Sequence, residues 1–238
     1  MARHPRTFID ARRWAAFGTD LLTRTLSDDE MWLSARTTLP DWNRRQLLAH
    51  LAGNADALGN LVRWAATGER ADMYDSPQAR AAGIARGLAL PADSLLSWLR
   101  GSAEKLNAGM DALTEAQWCV PVVTAQGRSV PAYEIPWMRA REVLVHFVDL
   151  ADEGNFADLP VDFLRALCDD VIARRSTLPG TALLLEAKDT GDWWKLPGEG
   201  VPVTVTGPLH EITAYLTGRP HNLINNWDTP APRLGPWL

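Results

Sequence analysis

The chain has 238 residues, 46% of them hydrophobic and 22% charged, with a formal net charge of -5. That balance is too apolar and too weakly charged for intrinsic disorder and fits a soluble globular protein. The mild acidity leaves no electrostatic footprint for a nucleic-acid backbone, and no run of about 18 apolar residues is present, so neither nucleic acid nor membrane is an expected partner.

Residues 8–26 place Phe8, Trp14, Phe17, Leu21 and Leu22 at helical spacing. The following SDDEMWLSARTTLPDW has no sustained period and reads as a long connection. Asn43 with Gln46 three positions on has the form of a capping box, and the helix it opens continues to Gly68, a suitable residue just past a helix end. Ser76-Pro77 opens a short further helix. Another runs from Pro91 to about Thr114, with Leu95, Leu99, Leu106, Met110 and Leu113 on one stripe. The segment PVVTAQGRSVPAYEIP, with three prolines and a glycine, reads as a loop before a fourth long helix from Ile135 to about Asp152.

Four long helices in this order predict an antiparallel bundle over residues 1–155. Beyond Gly154 the pattern changes. A helix is expected within 160–176, then β-like runs TALLLEAKD and VPVTVTG, then a helix in PLHEITAYLTG. The Trp193-Trp194 pair is expected to fill the core of this part. Residues 156–238 therefore read as a small α+β domain, and the fold class of the whole chain as α+β.

The two cysteines, Cys119 and Cys168, have no paired spacing and read as packing residues, which excludes a disulfide framework and a cysteine-rich zinc site. The N-terminal MARHPRTFIDARRWAAF has no apolar stretch of signal-peptide length, so a cytoplasmic enzyme, monomeric or a small homo-oligomer, is expected. His4, His210 and His221 have no partner spacing.

Chemistry concentrates elsewhere. Glu142 and His146 are four apart on the fourth long helix, so both project from one face a turn apart. His50 lies on the second long helix, on the side shared with Leu47, Leu51, Asn54, Leu58 and Leu61. Two imidazoles and a carboxylate meeting inside a bundle suit a divalent metal, and three protein ligands leave a position for water or substrate. Asp149 or Asn54 is placed to orient a ligating histidine through its second nitrogen. The same residues also admit blander roles: E-x-x-x-H is common by chance, and Glu142 can pair with Arg139 or Arg141.

Three stretches resemble the mycothiol-dependent maleylpyruvate isomerases, within the DinB-like superfamily of metal-binding helix bundles. They are LPDWNRRQLLAHLAGNADALGNLVRWAATGE (39–69), MYDSPQAR (73–80) and TAQGRSVPAYEIPWMRAREVLVHFVDL (124–150). Other DinB-like proteins share the histidine of the second helix and the H-x-x-D of the fourth, but TAQGR and PWMRAREV are narrower. A weaker likeness covers YLTGR (215–219) and the closing APRLGPWL, where Gly235 and Pro236 separate Arg233 from Trp237.

The resemblance implies a DinB-like four-helix bundle, with the metal ligands falling on His50, Glu142 and His146 and a functional arginine on Arg219. It implies Zn2+ ahead of Fe2+, and mycothiol or another small thiol as cofactor. The implied activity is conversion of maleylpyruvate to fumarylpyruvate in gentisate breakdown, by thiolate addition to the alkene, bond rotation and elimination. A dicarboxylate substrate needs cations, and Arg219, then Arg128, Arg139 and Arg141, are the candidates. The rival readings are a DinB-type thiol S-transferase acting on another electrophile and a non-catalytic zinc-binding regulator with a closed fourth position.

Overall fold

In the computed structural model, which describes residues 5–235, helix α1 (Phe8–Thr25) opens on a capping box between Thr7 and Asp10. His4 and the closing Pro236, Trp237 and Leu238 lie outside the described residues. Helix α1 buries Ala11, Trp14, Ala15, Gly18 and Leu22, while Phe8 and Phe17 sit at the edge of that stripe, each 38% exposed. The connection expected to be irregular contains a short helix, α2 (Glu30–Ser34), capped by Asp29. Five residues are too few to establish a period, which is why the sequence pattern is silent there.

Helix α3 (Arg44–Thr67) begins at the Asn43/Gln46 capping box and ends at Gly68. Helix α4 (Pro77–Leu88) is capped by Ser76, whose Oγ accepts from the amide of Ala79 at 3.1 Å. Helix α5 (Ala92–Asp111) and the single turn α6 (Glu115–Trp118) follow. The proline-rich segment then departs from expectation. It forms a small antiparallel hairpin, β1 (Pro121–Val123) and β2 (Ser129–Pro131), with Pro121 opposite Pro131. Proline is tolerated at strand ends and sheet edges, where no ladder donor is missed, so three prolines did not forbid the pairing. Helix α7 (Ile135–Asp149) completes the unit Arg6–Glu153.

Within that unit α7 packs on α1 and on α3, and α3 packs on α5 and α4. Leu58, Leu61, Leu106, Met110, Val122 and Ile135 form one buried apolar cluster joining α3, α5, the hairpin and α7. Each such side chain contributes about 1.5–3 kcal/mol through removal from water. Helices α3 and α7 run antiparallel: Arg44 donates to the carbonyl of Leu150, and ten residues further along α3 Asn54 meets Arg139.

Gly18 sets the distance between α1 and α7. A Cβ there would lie 2.5 Å from Val143 Cγ2 and 2.7 Å from Leu144 Cγ, both fully buried. Gly18→Ala should gain up to about 1 kcal/mol in helix propensity. Forcing a methyl into this packed seam costs about 1–3 kcal/mol, so the overpacking wins. The expected result is a lower thermal midpoint, and an unchanged or raised midpoint would show that the seam can open.

The remaining unit is built from Gly154 onward. Helix α8 (Val161–Arg175), β3 (Thr181–Ala187), β4 (Asp192–Leu196), β5 (Glu199–Gly207), α9 (Leu209–Leu216) and β6 (Ile224–Asn225) succeed one another. The four strands lie in the order β4-β3-β5-β6, with β3 and β5 parallel and the other pairs antiparallel. Helices α8 and α9 pack on each other and against the sheet. The chain is thus an α+β protein, helical in its first part with a small sheet in its second.

The tryptophan pair divides between the faces of β4. Trp194 is buried, and its indole donates to Asp169 at 2.7 Å, whereas Trp193 is 49% exposed. Adjacent residues of a strand point to opposite faces, so both cannot enter one core. Cys168 packs beside Thr213, but Cys119 is exposed rather than a packing residue.

Candidate metal centre

Helices α3 and α7 bring His50, Glu142 and His146 together, with one potential ligand atom from each lying within 4.8 Å of the others. His50 Nε2 is 3.0 Å from Glu142 Oε2, and His146 Nε2 is 3.6 Å from the same oxygen. The two imidazole rings meet edge to face at 5.1 Å between centroids. Glu142 and His146 share a face because they are one turn apart, and the antiparallel pairing of α3 with α7 supplies His50.

The nitrogens turned away from Glu142 are also engaged. His146 Nδ1 is 2.8 Å from Asp149 Oδ2. Asp149 is fully buried, and its other oxygen accepts from Thr38 Oγ1 at 2.5 Å, while the Thr38 amide donates to the Asp149 carbonyl at 3.0 Å. His50 Nδ1 faces Arg80 Nη2 at 3.4 Å, and Trp42 packs its edge against the His50 ring at 5.7 Å. Trp42 and Thr38 reach the site from the segment between α2 and α3, and Arg80 reaches it from α4.

Burial opposes ionisation of Glu142, but hydrogen bonds and charge from His146 and His50 outweigh it and hold the carboxyl well below the usual range. Burial likewise opposes charge on His146, yet the hydrogen bonds and charges of Asp149 and Glu142 prevail and raise it to about 9. His50 goes the other way: burial outweighs its bond to Glu142 and lowers it. At neutral pH the cluster therefore holds a carboxylate, an imidazolium at His146 and a neutral imidazole at His50.

The donor chemistry fits a divalent cation. Two imidazoles and one carboxylate oxygen are borderline ligands of the kind that take zinc, and the Asp149–His146 contact has the form of the outer contact that would fix the tautomer of a ligating imidazole. Three ligands leave room in a tetrahedral sphere for a further donor.

Asn54, the other expected orienting residue, does not contact either histidine. Its Oδ1 accepts from Arg139 Nη1 at 3.0 Å, and the same Nη1 donates to the carbonyl of Leu51 at 2.9 Å. Arg139 is 2% exposed, and burial lowers it to about 10 against the pull of Glu142, Asp56 and Tyr74. It serves as a buried countercharge one turn from Glu142 and offers substrate no accessible face. Arg141 is buried and lies over the Trp137 ring at 5.8 Å. Arg128 is exposed on the hairpin turn, with no side-chain hydrogen bond to the triad. Arg219 belongs to the C-terminal unit, where its Nη1 donates to the Thr217 carbonyl at 2.6 Å.

Sequence reasoning did not single out Thr38, Trp42, Tyr74 or Arg80. Tyr74 is raised, chiefly by burial, and it senses the charges of Arg80, Glu142 and Arg139. Tyr74 and Arg80 both lie in the MYDSPQAR stretch, and the Ser76 cap that starts α4 was the available signal that this stretch has a fixed geometry.

Residues 12–151 match the family described as the mycothiol maleylpyruvate isomerase N-terminal domain. No curated protein matches the chain. A crystal structure of the mycothiol-dependent maleylpyruvate isomerase is 34% identical, with a TM-score of 0.89 over 96% of this chain and 98% of that one. The crystal structure of a histidine-to-alanine mutant of a mycothiol-dependent maleylpyruvate isomerase gives the same values, 34% identity and a TM-score of 0.89. With the family matched over more than half the chain and the fold over nearly all of it, this protein belongs to the mycothiol-dependent maleylpyruvate isomerase family.

Proposed function

We propose that the chain isomerises maleylpyruvate to fumarylpyruvate with mycothiol as the thiol, at a divalent metal, zinc ahead of iron, held by His50, Glu142 and His146. The observation that carries this reading is the convergence of those three ligand atoms within 4.8 Å, in a chain 34% identical over nearly its whole length to an enzyme of that name.

A cis alkene cannot become trans while its double bond is intact, so the reaction needs a nucleophile that adds reversibly and leaves after rotation. A free thiol, of pKa about 8.5, is mostly protonated at neutral pH, and a bound divalent cation supplies the charge that makes it a thiolate. The protein's own work is positional. Asp149, fixed by Thr38, holds His146 with its Nε2 toward Glu142. Trp42 walls the ring of His50, and Arg139 balances Glu142 from within the bundle.

The negative charge that develops on the substrate as the thiolate adds requires a cation or hydrogen-bond donor nearby. Arg219 is proposed for a carboxylate on the resemblance alone, whereas Arg128 and Arg141 have the exposed and ring-packed positions described above. Purified protein should convert maleylpyruvate to fumarylpyruvate only with mycothiol present, and a chelator should stop it until zinc is restored. A stable thioether with no fumarylpyruvate would replace the isomerase reading with an S-transferase. Turnover that persists after complete metal removal would remove the metal from it.

A further inference from the structure

Among the described residues Arg80 is the exposed guanidinium beside the triad, and no carboxylate forms an ion pair with it there. Its contacts are His50 Nδ1 at 3.4 Å and the neighbouring Tyr74, and the residue is exposed on α4. Its position is fixed by close packing of the helix behind it. A Cβ on Gly87 would lie 2.4 Å from the Cβ of Ala49, so α4 touches α3 at the residue next to His50. Arg139, by contrast, is sealed in the bundle and committed to Leu51 and Asn54.

The hydrogen-bond chemistry of His50 decides what Arg80 can do. A guanidinium only donates, so His50 Nδ1 must be the accepting nitrogen, and Nε2 carries the hydrogen toward Glu142 Oε2 at 3.0 Å. An imidazole that ligates a metal through Nε2 carries its hydrogen on Nδ1 instead. That nitrogen can then no longer accept from Arg80. The Arg80–His50 contact and metal ligation by His50 are therefore mutually exclusive, and loading the site releases the guanidinium.

Resting on the metal reading above, we propose that Arg80 is a substrate-binding residue: displaced from His50 in the loaded site, it takes one carboxylate of the dicarboxylate substrate, with Tyr74 beside it. Arginine suits this task because its planar fork matches a carboxylate with two parallel hydrogen bonds. The exposure of Arg80 leaves it free to turn, and its attachment to the first turns of α4 keeps it within reach of the triad.

The test uses the full chain, loaded with zinc and without thiol, and maleate as a dicarboxylate probe followed by calorimetry. Loss of a charge-assisted pair of this kind costs about 1.5–3 kcal/mol, which corresponds to roughly a 10- to 150-fold loss of affinity. Arg80→Met should weaken maleate binding by at least about tenfold. Arg80→Lys, which keeps the charge without the fork, should fall between the two. In the isomerase assay Arg80→Met should raise KM more than it lowers kcat.

Zinc affinity supplies the independent readout. Removing a cation and a competing donor from beside His50 should leave zinc binding in Arg80→Met equal to wild type or several-fold tighter, where a merely structural role would weaken it. Unchanged maleate affinity in both variants, or wild-type protein that takes up zinc but no maleate, overturns the assignment of Arg80 alone. Wild-type protein that takes up no zinc overturns the metal reading and this inference together.

Discussion

His50→Ala should abolish stoichiometric zinc uptake and isomerase activity together while leaving a folded protein. Three residues supply the proposed ligands, and removing one leaves a histidine and a carboxylate separated by one helical turn, which hold a divalent cation poorly. Loss of an outer-contact partner alone typically costs 10- to 100-fold in metal affinity, and loss of a ligand costs more. The fold is affected far less. Burial keeps His50 neutral, so its removal strips no charge from the bundle, and Glu142 retains its pairing with His146 at 3.6 Å. The cost is then a cavity and the contacts with Glu142 and Arg80, about 1–3 kcal/mol.

Glu142→Gln makes the complementary change. It keeps the shape and one accepting oxygen of the carboxylate but removes the charge that favours both a metal and the His146 imidazolium. It should also lose zinc and turnover. Elemental analysis of protein purified without added metal, the isomerase assay and a thermal melt measure these effects separately. Stoichiometric zinc retained in His50→Ala would show that the metal site has been misassigned.

How much of this was legible in the sequence depends on the distance between partners. The bundle was legible because each long helix carries its own period and its own ends, as in the Asn43/Gln46 box and the Ser76 cap. The Glu142/His146 spacing was legible because a helix turns every 3.6 residues. The elements that were missed are short. The hairpin has three residues per strand, and β4 sets one tryptophan in and one out over five residues.

The surroundings of the triad were hidden for a different reason. Thr38 and Asp149 are 111 residues apart, and Arg80 and His50 are 30 apart on different helices. No local period records such a meeting; it follows from how the helices pack. Asn54 shows the same limit, since it lies on the expected face of α3 yet is taken by Arg139 from α7. Spacing gives the face of a helix, and only the packed partner decides which group a side chain on that face will bond.

Asp149→Asn should uncouple the opposing pH dependences of metal-free stability and metal affinity. In the metal-free protein the His146 pKa is raised to about 9 from the ordinary histidine value of 6.5. A group raised on folding stabilises the fold fully below its unfolded pKa and loses that contribution as pH rises through its folded one. The thermal midpoint of metal-free wild type should therefore fall between about pH 6.5 and 9. Glu142, held low, changes nothing in that window, because its contribution is lost only as pH falls through its depressed value. Metal affinity moves in the opposite sense. Ligation requires the lone pair that the imidazolium proton occupies, so zinc binding at neutral pH should release about one proton and should strengthen as pH rises toward 9. Asparagine at 149 removes the anion that faces His146 Nδ1 and accepts from Thr38. Breaking a buried charge pair by removing one partner costs about 3–5 kcal/mol, so at pH 6 the variant should melt well below wild type, with a much flatter pH dependence above it. Its zinc affinity should drop 10- to 100-fold, as for other losses of a carboxylate behind a ligating histidine, roughly. Melts of the metal-free proteins at pH 6 and 9, and calorimetry in buffers of different ionisation enthalpy, read both halves. A wild-type midpoint that does not fall across that window would remove Asp149 from control of the His146 proton.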